Sequence, residues 1–139
     1  MIYVIDSSFL CALIIPDEKN TVTDRMHAKI KNGDEKHSPH LVWYEVANVF
    51  NNLIRRRRYT FNEVLQFFPR LEAMCISLKD DFATGAEYSK KIFRLCNDHN
   101  LSSYDAAYLE LAERKKAVLC TVDDNLKAAA RKIGVAVLR

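Results

Sequence analysis

Short apolar runs separated by helix-length segments, with no hairpin turn between any two of them, constrain this 139-residue chain most. Ile2–Ile5 is continuously apolar, as a strand buried on both faces must be. Residues 75–78, 117–121 and 135–138 read as further strands, and Lys-His-Ser-Pro at 36–39 could hold another although nothing there is strongly β-forming. Helical patterns fill residues 20–32, 40–58, 61–68, 81–99, 102–116 and 124–133, with Pro69 expected to bend or end the helix at 61–68. Asp6-Ser7-Ser8 supplies N-cap residue types ahead of an apolar segment that Pro16 closes. Strands joined in this way need crossovers, which implies an α/β sandwich: one domain over 1–139, with a parallel sheet of about five strands and helices on both faces.

Composition agrees. Glycine and proline number 3 each, where average usage predicts roughly 10 and 7. A turn-dense all-β fold therefore loses support. Gly33, Gly85 and Gly134 are too far apart for a dinucleotide fingerprint, a P-loop or a nucleophile elbow. Cys11, Cys75, Cys96 and Cys120 form no Cys-x-x-Cys pair and read as buried, reduced core residues of a cytoplasmic protein; no leader precedes the first strand. His27, His37, His40 and His99 show no metal spacing and read as surface or capping residues. The longest apolar run, Phe9–Ile15, has seven residues, against the ~20 a membrane span needs.

Chemistry concentrates in acids. Ligands of an open parallel sheet bind beyond the carboxyl ends of its strands. Asp6 follows the first strand, and Thr121-Val-Asp123-Asp124 follows the strand at 117–121. If those strands are neighbours, ~4.8 Å apart, their acids can share an ion. Glu45 interrupts an apolar helix turn, with Asn48 and Asn52 on its face, and Asp105 sits among small and apolar residues in Ser102-Ser-Tyr-Asp-Ala-Ala-Tyr-Leu109. Such acids suit a hard divalent cation, Mg²⁺ or Mn²⁺. Each also has a plain structural use. Asp6 suits an N-cap, Asp105 completes a capping box with Ser102, and Asp124 completes one with Thr121, for which the cap is the preferred reading.

The order of these motifs resembles the PIN-domain ribonucleases, most closely the VapC-type toxins of toxin–antitoxin pairs. The likeness covers nearly the whole chain: Ile-Tyr-Val-Ile-Asp-Ser-Ser at the start, Ser-Pro-His-Leu-Val-Trp-Tyr-Glu-Val-Ala-Asn, Leu-Ser-Ser-Tyr-Asp-Ala-Ala-Tyr-Leu-Glu-Leu-Ala, and Cys-Thr-Val-Asp-Asp-Asn-Leu. The resemblance implies a PIN-like three-layer α/β/α sandwich. It also implies metal-dependent hydrolysis of phosphodiester bonds in single-stranded RNA. The family's acids fall on Asp6, Glu45, Asp105 and Asp123, which would hold Mg²⁺ or Mn²⁺. Its hydroxyl residues fall on Ser7 and Thr121, which with Asn48 and Asp124 would orient ligands and water. Asp124 is a second acid beside the fourth position and leaves two candidates there.

Net charge is +3, from 21 basic and 18 acidic residues. The basicity is one patch, Arg55, Arg56, Arg57 and Arg58, ending the helix that carries Glu45. Four consecutive arginines exceed what helix-dipole compensation needs and read as an RNA contact. A toxin implies a cognate antitoxin, for which Phe9, Leu13 and Met26 are expected to form an exposed apolar groove, and the resemblance implies a homodimer. Alternatives are a PIN nuclease with a housekeeping role in RNA processing, a receiver-like module, and a non-catalytic RNA-binding module.

Overall fold

The computed structural model describes residues 1–139. Four parallel strands form one sheet: β1 (Ile2–Ile5), β2 (Glu35–Pro39), β3 (Leu78–Asp81) and β4 (Val118–Cys120), in the order β3-β2-β1-β4. The helices are α1 (Ser7–Ile14), α2 (Thr21–Ala28), α3 (Val42–Arg55), α4 (Phe61–Leu65), α5 (Phe68–Cys75), α6 (Ala86–His99), α7 (Ser103–Lys115) and α8 (Asp124–Lys132). Right-handed crossovers decide the layers. The two connections that step from β1 to β2 and on to β3 carry α1–α5, and α1 packs with α2, α3 and α5. The connection from β3 back across to β4 runs in the opposite sense, so α6 and α7 cover the other face, with α7 against β1, β2 and β4. The strand order thus reverses between β1 and β4, the switch point at which open α/β sheets build ligand sites. This order differs from the 2-1-3-4-5 of a receiver fold.

One cluster of 33 buried apolar residues forms the core, centred on β1, α1 and α7. Phe9, Leu13 and Met26, expected to be exposed, are buried in it, and the crevice that Phe9 and Leu13 line holds only about 20 Å³. The reason is the continuous apolar run of α1, which faces helices on more than one side. α3 fits the usual amphipathic pattern: Val42, Val46, Phe50 and Leu53 face inward, leaving Glu45, Asn48 and Asn52 on another side.

Several boundaries move. The fifth strand reduces to a single parallel bridge between Leu119 and Val137. The third strand starts at Leu78 rather than Cys75, because α5 runs on to Cys75. Pro69 does not end a helix. It sits in the first turn of α5, where a missing N–H costs nothing. α6 begins at Ala86, after Gly85 at φ 101°, a conformation that favours glycine. β2 forms from a weak sequence because it lies between two partners, with the Ser38 hydroxyl donating to the Ile5 carbonyl at 2.8 Å. Cys75 and Cys96 are half-buried rather than buried, and all four cysteines are free. His37 is buried rather than superficial, its Nε2 3.0 Å from Glu35. No helix is long and apolar enough to cross a membrane.

Candidate active site

β1 and β4 pair in register Val4–Leu119 and Ile5–Cys120, so Asp6 and Thr121 emerge side by side at the carboxyl edge. Asp6 is only 3% exposed. It caps α1, its Oδ1 accepting the Phe9 N–H at 2.8 Å, and the Ser8 hydroxyl approaches both its oxygens at 2.8 and 2.9 Å. Burial pushes its pKa up to about 7. The Thr121 hydroxyl, the Phe9 N–H and the Ser8 hydroxyl pull it down, while the negative charge of Glu45 adds to the rise.

α3 and α7 bring the next two acids to this edge. Glu45, in the first turn of α3, is half-buried and accepts a hydrogen bond from the Tyr108 hydroxyl. Burial raises its pKa, the Tyr108 and Ser7 hydroxyls oppose that rise, and the Asp105 charge adds to it. Asp105 lies in the first turn of α7, where the Ser102 hydroxyl caps the Asp105 N–H at 3.1 Å and lies 2.9 Å from Oδ2. Burial raises its pKa too, Ser102 lowers it, and Asp123 adds to the rise. The acids therefore form a series of electrostatic neighbours: Asp6 with Glu45, Glu45 with Asp105, Asp105 with Asp123.

The adjacent acids at the end of β4 separate clearly. Asp123, not Asp124, is the N-cap of α8, its Oδ1 accepting the Leu126 N–H at 2.7 Å. Its own N–H donates to the buried Thr121 hydroxyl at 3.0 Å. The preference for Asp124 as the capping acid is corrected, because α8 takes its N-cap two residues later than the Thr-x-x-Asp pattern places it, at Asp123 rather than Thr121. Asp124 is exposed and pairs with Lys127 at 3.0 Å.

Two hydroxyls escaped the sequence reading. Ser8 joins Asp6 to β4: its Oγ lies 3.3 Å from Thr121 Oγ1 and accepts the Val122 N–H at 3.2 Å. Ser7-Ser8 offered two hydroxyls, and only the helix start shows which turns to β4. Tyr108 lies one helical turn beyond Asp105, a spacing that could have marked it.

As the side chains stand, no three His, Cys, Asp or Glu residues form a ready metal-binding group. The donor set nevertheless fits a divalent cation. Mg²⁺ is held by one or two carboxylates and keeps several waters, and burial beside negative neighbours leaves these carboxylates in need of a positive charge. Asp6 with Glu45, and Asp105 with Asp123, are the pairs that could hold it.

The arginine run leaves the helix. Arg55 is the last helical residue, Arg56 the C-cap, and Arg57 is left-handed at φ 56°. The N–H groups of Arg57 and Arg58 close back on Ile54 and Leu53, a Schellman end. Arg58 is committed to Asp17 and Glu18 at 2.8 and 3.1 Å, whereas Arg55, Arg56 and Arg57 make no ion pair.

A parallel switch-point sheet with buried acids on its carboxyl edge defines a class, and comparison with known proteins agrees. The PIN-domain family model matches residues 3–132. Ribonuclease VapC3 of Pyrobaculum aerophilum is 32% identical over 123 residues, covering 88% of this chain and 90% of that protein. The chain belongs to the PIN-domain family, on its VapC-type branch. The solved structure of PAE2754 from Pyrobaculum aerophilum is similar with a TM-score of 0.68 at 24% identity, covering 99% of this chain and 92% of that one. VapBC2 from Rickettsia felis, solved bound to a DNA fragment from its promoter, has a TM-score of 0.65 at 14% identity, covering 100% and 98%. Both likenesses are of fold.

Proposed function

We propose that this protein is a metal-dependent endoribonuclease that hydrolyses phosphodiester bonds in single-stranded regions of RNA, and that it is the toxin of a toxin–antitoxin pair. The observation that carries this reading is the meeting of Asp6 and Thr121 at the β1–β4 switch point, onto which α3 and α7 bring Glu45 and Asp105. The relative named Ribonuclease VapC3 supports the RNA substrate.

Asp6, Glu45, Asp105 and Asp123 would hold Mg²⁺ or Mn²⁺. Bound there, the cation lowers the pKa of a water and neutralises charge on the phosphoryl oxygens. The chain's own residues do the positioning. Ser8 and the Phe9 N–H fix the Asp6 carboxylate, Tyr108 fixes Glu45, Ser102 fixes Asp105, and Thr121 sets the backbone on which Asp123 turns into α8. Ser7 and Asn48 face the same cavity and would orient water or RNA. Arg55, Arg56 and Arg57 are the free cations for the RNA backbone. No side-chain nucleophile is required.

The partner is a cognate antitoxin, and the toxin is a homodimer; VapBC2 of Rickettsia felis stands among the similar folds. Four free cysteines suit a reducing, cytoplasmic setting.

The test is cleavage of RNA by the purified chain with Mg²⁺ or Mn²⁺ and its loss in EDTA. Asp6→Ala and Asp105→Ala should each slow it by at least ~100-fold, since each removes charge from the ion's site. Near-normal rates in either variant would sink the site. Expression alone should arrest growth, with rescue by the neighbouring reading frame; harmless expression of active protein would favour a housekeeping role.

A further inference from the structure

Besides the buried Tyr108, the sheet's carboxyl edge carries exposed aromatic rings beside its acids, and the hydrolysis proposed above uses none of these. Tyr44 and Tyr104 directly precede Glu45 and Asp105. They are 72% and 59% exposed, and they line one cavity of about 440 Å³ with Ser7, Glu45 and Asn48. The aromatic surface continues from Tyr44. His40, the first residue past β2, meets Tyr44 edge-on with ring centroids 6.0 Å apart. Phe82, the first residue past β3, stacks on His40 at 4.6 Å and is 65% exposed. Asp80 braces this stretch, its two oxygens engaging the His40 ring at 3.2 Å and the Trp43 indole N–H at 2.8 Å. Three large rings are thus held in water along one edge, where they add little to the core.

Ring faces beside a phosphate-cleaving site have a natural occupant. Unpaired bases stack on aromatic side chains whatever their identity, whereas a duplex keeps its base faces covered. The cavity falls within the ~300–1,000 Å³ range of small-ligand sites, and its wall carries Asn48, whose amide can both donate to and accept from a base edge. The charge pattern fits a polynucleotide more than a peptide. Val49 borders both this cavity and a second one, where Arg56 stands as a free cation beside Asn52 and the Arg58–Glu18 ion pair.

We propose that Tyr44 and Tyr104 grip one unpaired base beside the scissile phosphate, that the His40–Phe82 stack carries the next base, and that this track sets the requirement for single-stranded RNA. It rests on the hydrolytic reading only for where the phosphate lies.

Binding of labelled oligoribonucleotides of two to eight residues, followed by fluorescence anisotropy, tests it. The measurement is made on wild type in EDTA and on Asp6→Asn with Mg²⁺, so that cleavage does not intrude. Tyr44→Ala and Tyr104→Ala should each weaken binding about tenfold, with Tyr44→Phe and Tyr104→Phe near wild type because the ring, not the hydroxyl, makes the stack. Phe82→Ala should weaken the octamer and spare the dinucleotide. An abasic residue walked along the octamer should reproduce the tyrosine loss at one position, and cost nothing more there in Tyr44→Ala. Unchanged melting curves would show that the exposed-ring variants fold. Alanine variants that bind as tightly as their parents overturn the proposal and assign the rings to a protein contact, and so does a wild type that binds no oligonucleotide. Ring-dependent binding without cleavage under any divalent cation leaves the track standing and removes the hydrolytic reading. Cleavage with the tyrosine variants unaffected does the reverse.

Discussion

The Ser8 hydroxyl lies 3.3 Å from the Thr121 hydroxyl, 113 residues away in the chain, while also contacting both oxygens of Asp6. This contact ties the ends of β1 and β4 together at the switch point. Ser8→Ala should therefore loosen the site without emptying the core. It removes one of the groups that hold the Asp6 pKa down, so the carboxylate ionises later and binds a cation more weakly. A shift of the Mg²⁺ dependence of melting to higher concentration, with a loss of about 1–2 kcal/mol in stability, is the expected result; titration calorimetry checks the first part and urea melts the second. Cation affinity equal to wild type would remove Ser8 from the site.

Stability of the metal-free protein should fall as pH rises from about 4 to about 7. The sign follows from proton counting. Asp6 titrates near 3.8 when unfolded and at about 7 when folded, so within that window the folded state holds more protons than the unfolded state. Glu45 and Asp105 are raised as well and act in the same direction. Asp6→Asn should flatten the profile and raise the melting temperature in EDTA above pH 7. It should also reduce the stabilisation by added Mg²⁺, since the cation needs ionised ligands. Coincident wild-type and Asp6→Asn curves under both conditions would mean that no shared cation site exists.

Asp123 and Asp124 should behave differently. Asp123→Asn keeps an N-cap residue type on α8 and removes the charge, so cleavage should be lost while stability stays within ~0.5 kcal/mol. Asp124→Ala removes only an exposed pair with Lys127, worth little in water. RNA cleavage and thermal melts on the two variants decide it, and inactivity of Asp124→Ala alone would move the fourth ligand.

The arginines divide in the same manner. Replacing Arg55, Arg56 and Arg57 together by alanine should lower the salt dependence of RNA binding, reducing the slope of log affinity against log salt by about 2, at ~0.7 per contact on a single strand. Arg58→Ala should leave that slope unchanged, because its guanidinium is already bound to Asp17 and Glu18.

Leu13→Ala tests the burial of α1. A cost of about 2–5 kcal/mol in denaturant melts is expected of a core leucine, whereas a groove residue would lose partner binding at little cost in stability.

The sequence by itself determined the parallel α/β architecture, because strands without hairpin turns can only be joined by crossovers. It also determined which acids lie beyond strand ends or in polar breaks of apolar helices, since residue type and period are local properties. Tertiary structure decided the rest. β2 exists because two strands flank it, and the strand at 135–138 shrinks to one bridge at the sheet's margin. Asp123 rather than Asp124 caps α8, since the cap depends on where the chain turns after β4. α1 is buried on more than one side, so its apolar residues became core instead of groove. Ser8 ties Asp6 to β4, and Tyr108 reaches Glu45, only through partners more than sixty residues away, at a hydrogen-bonding range that no pattern in a linear chain specifies.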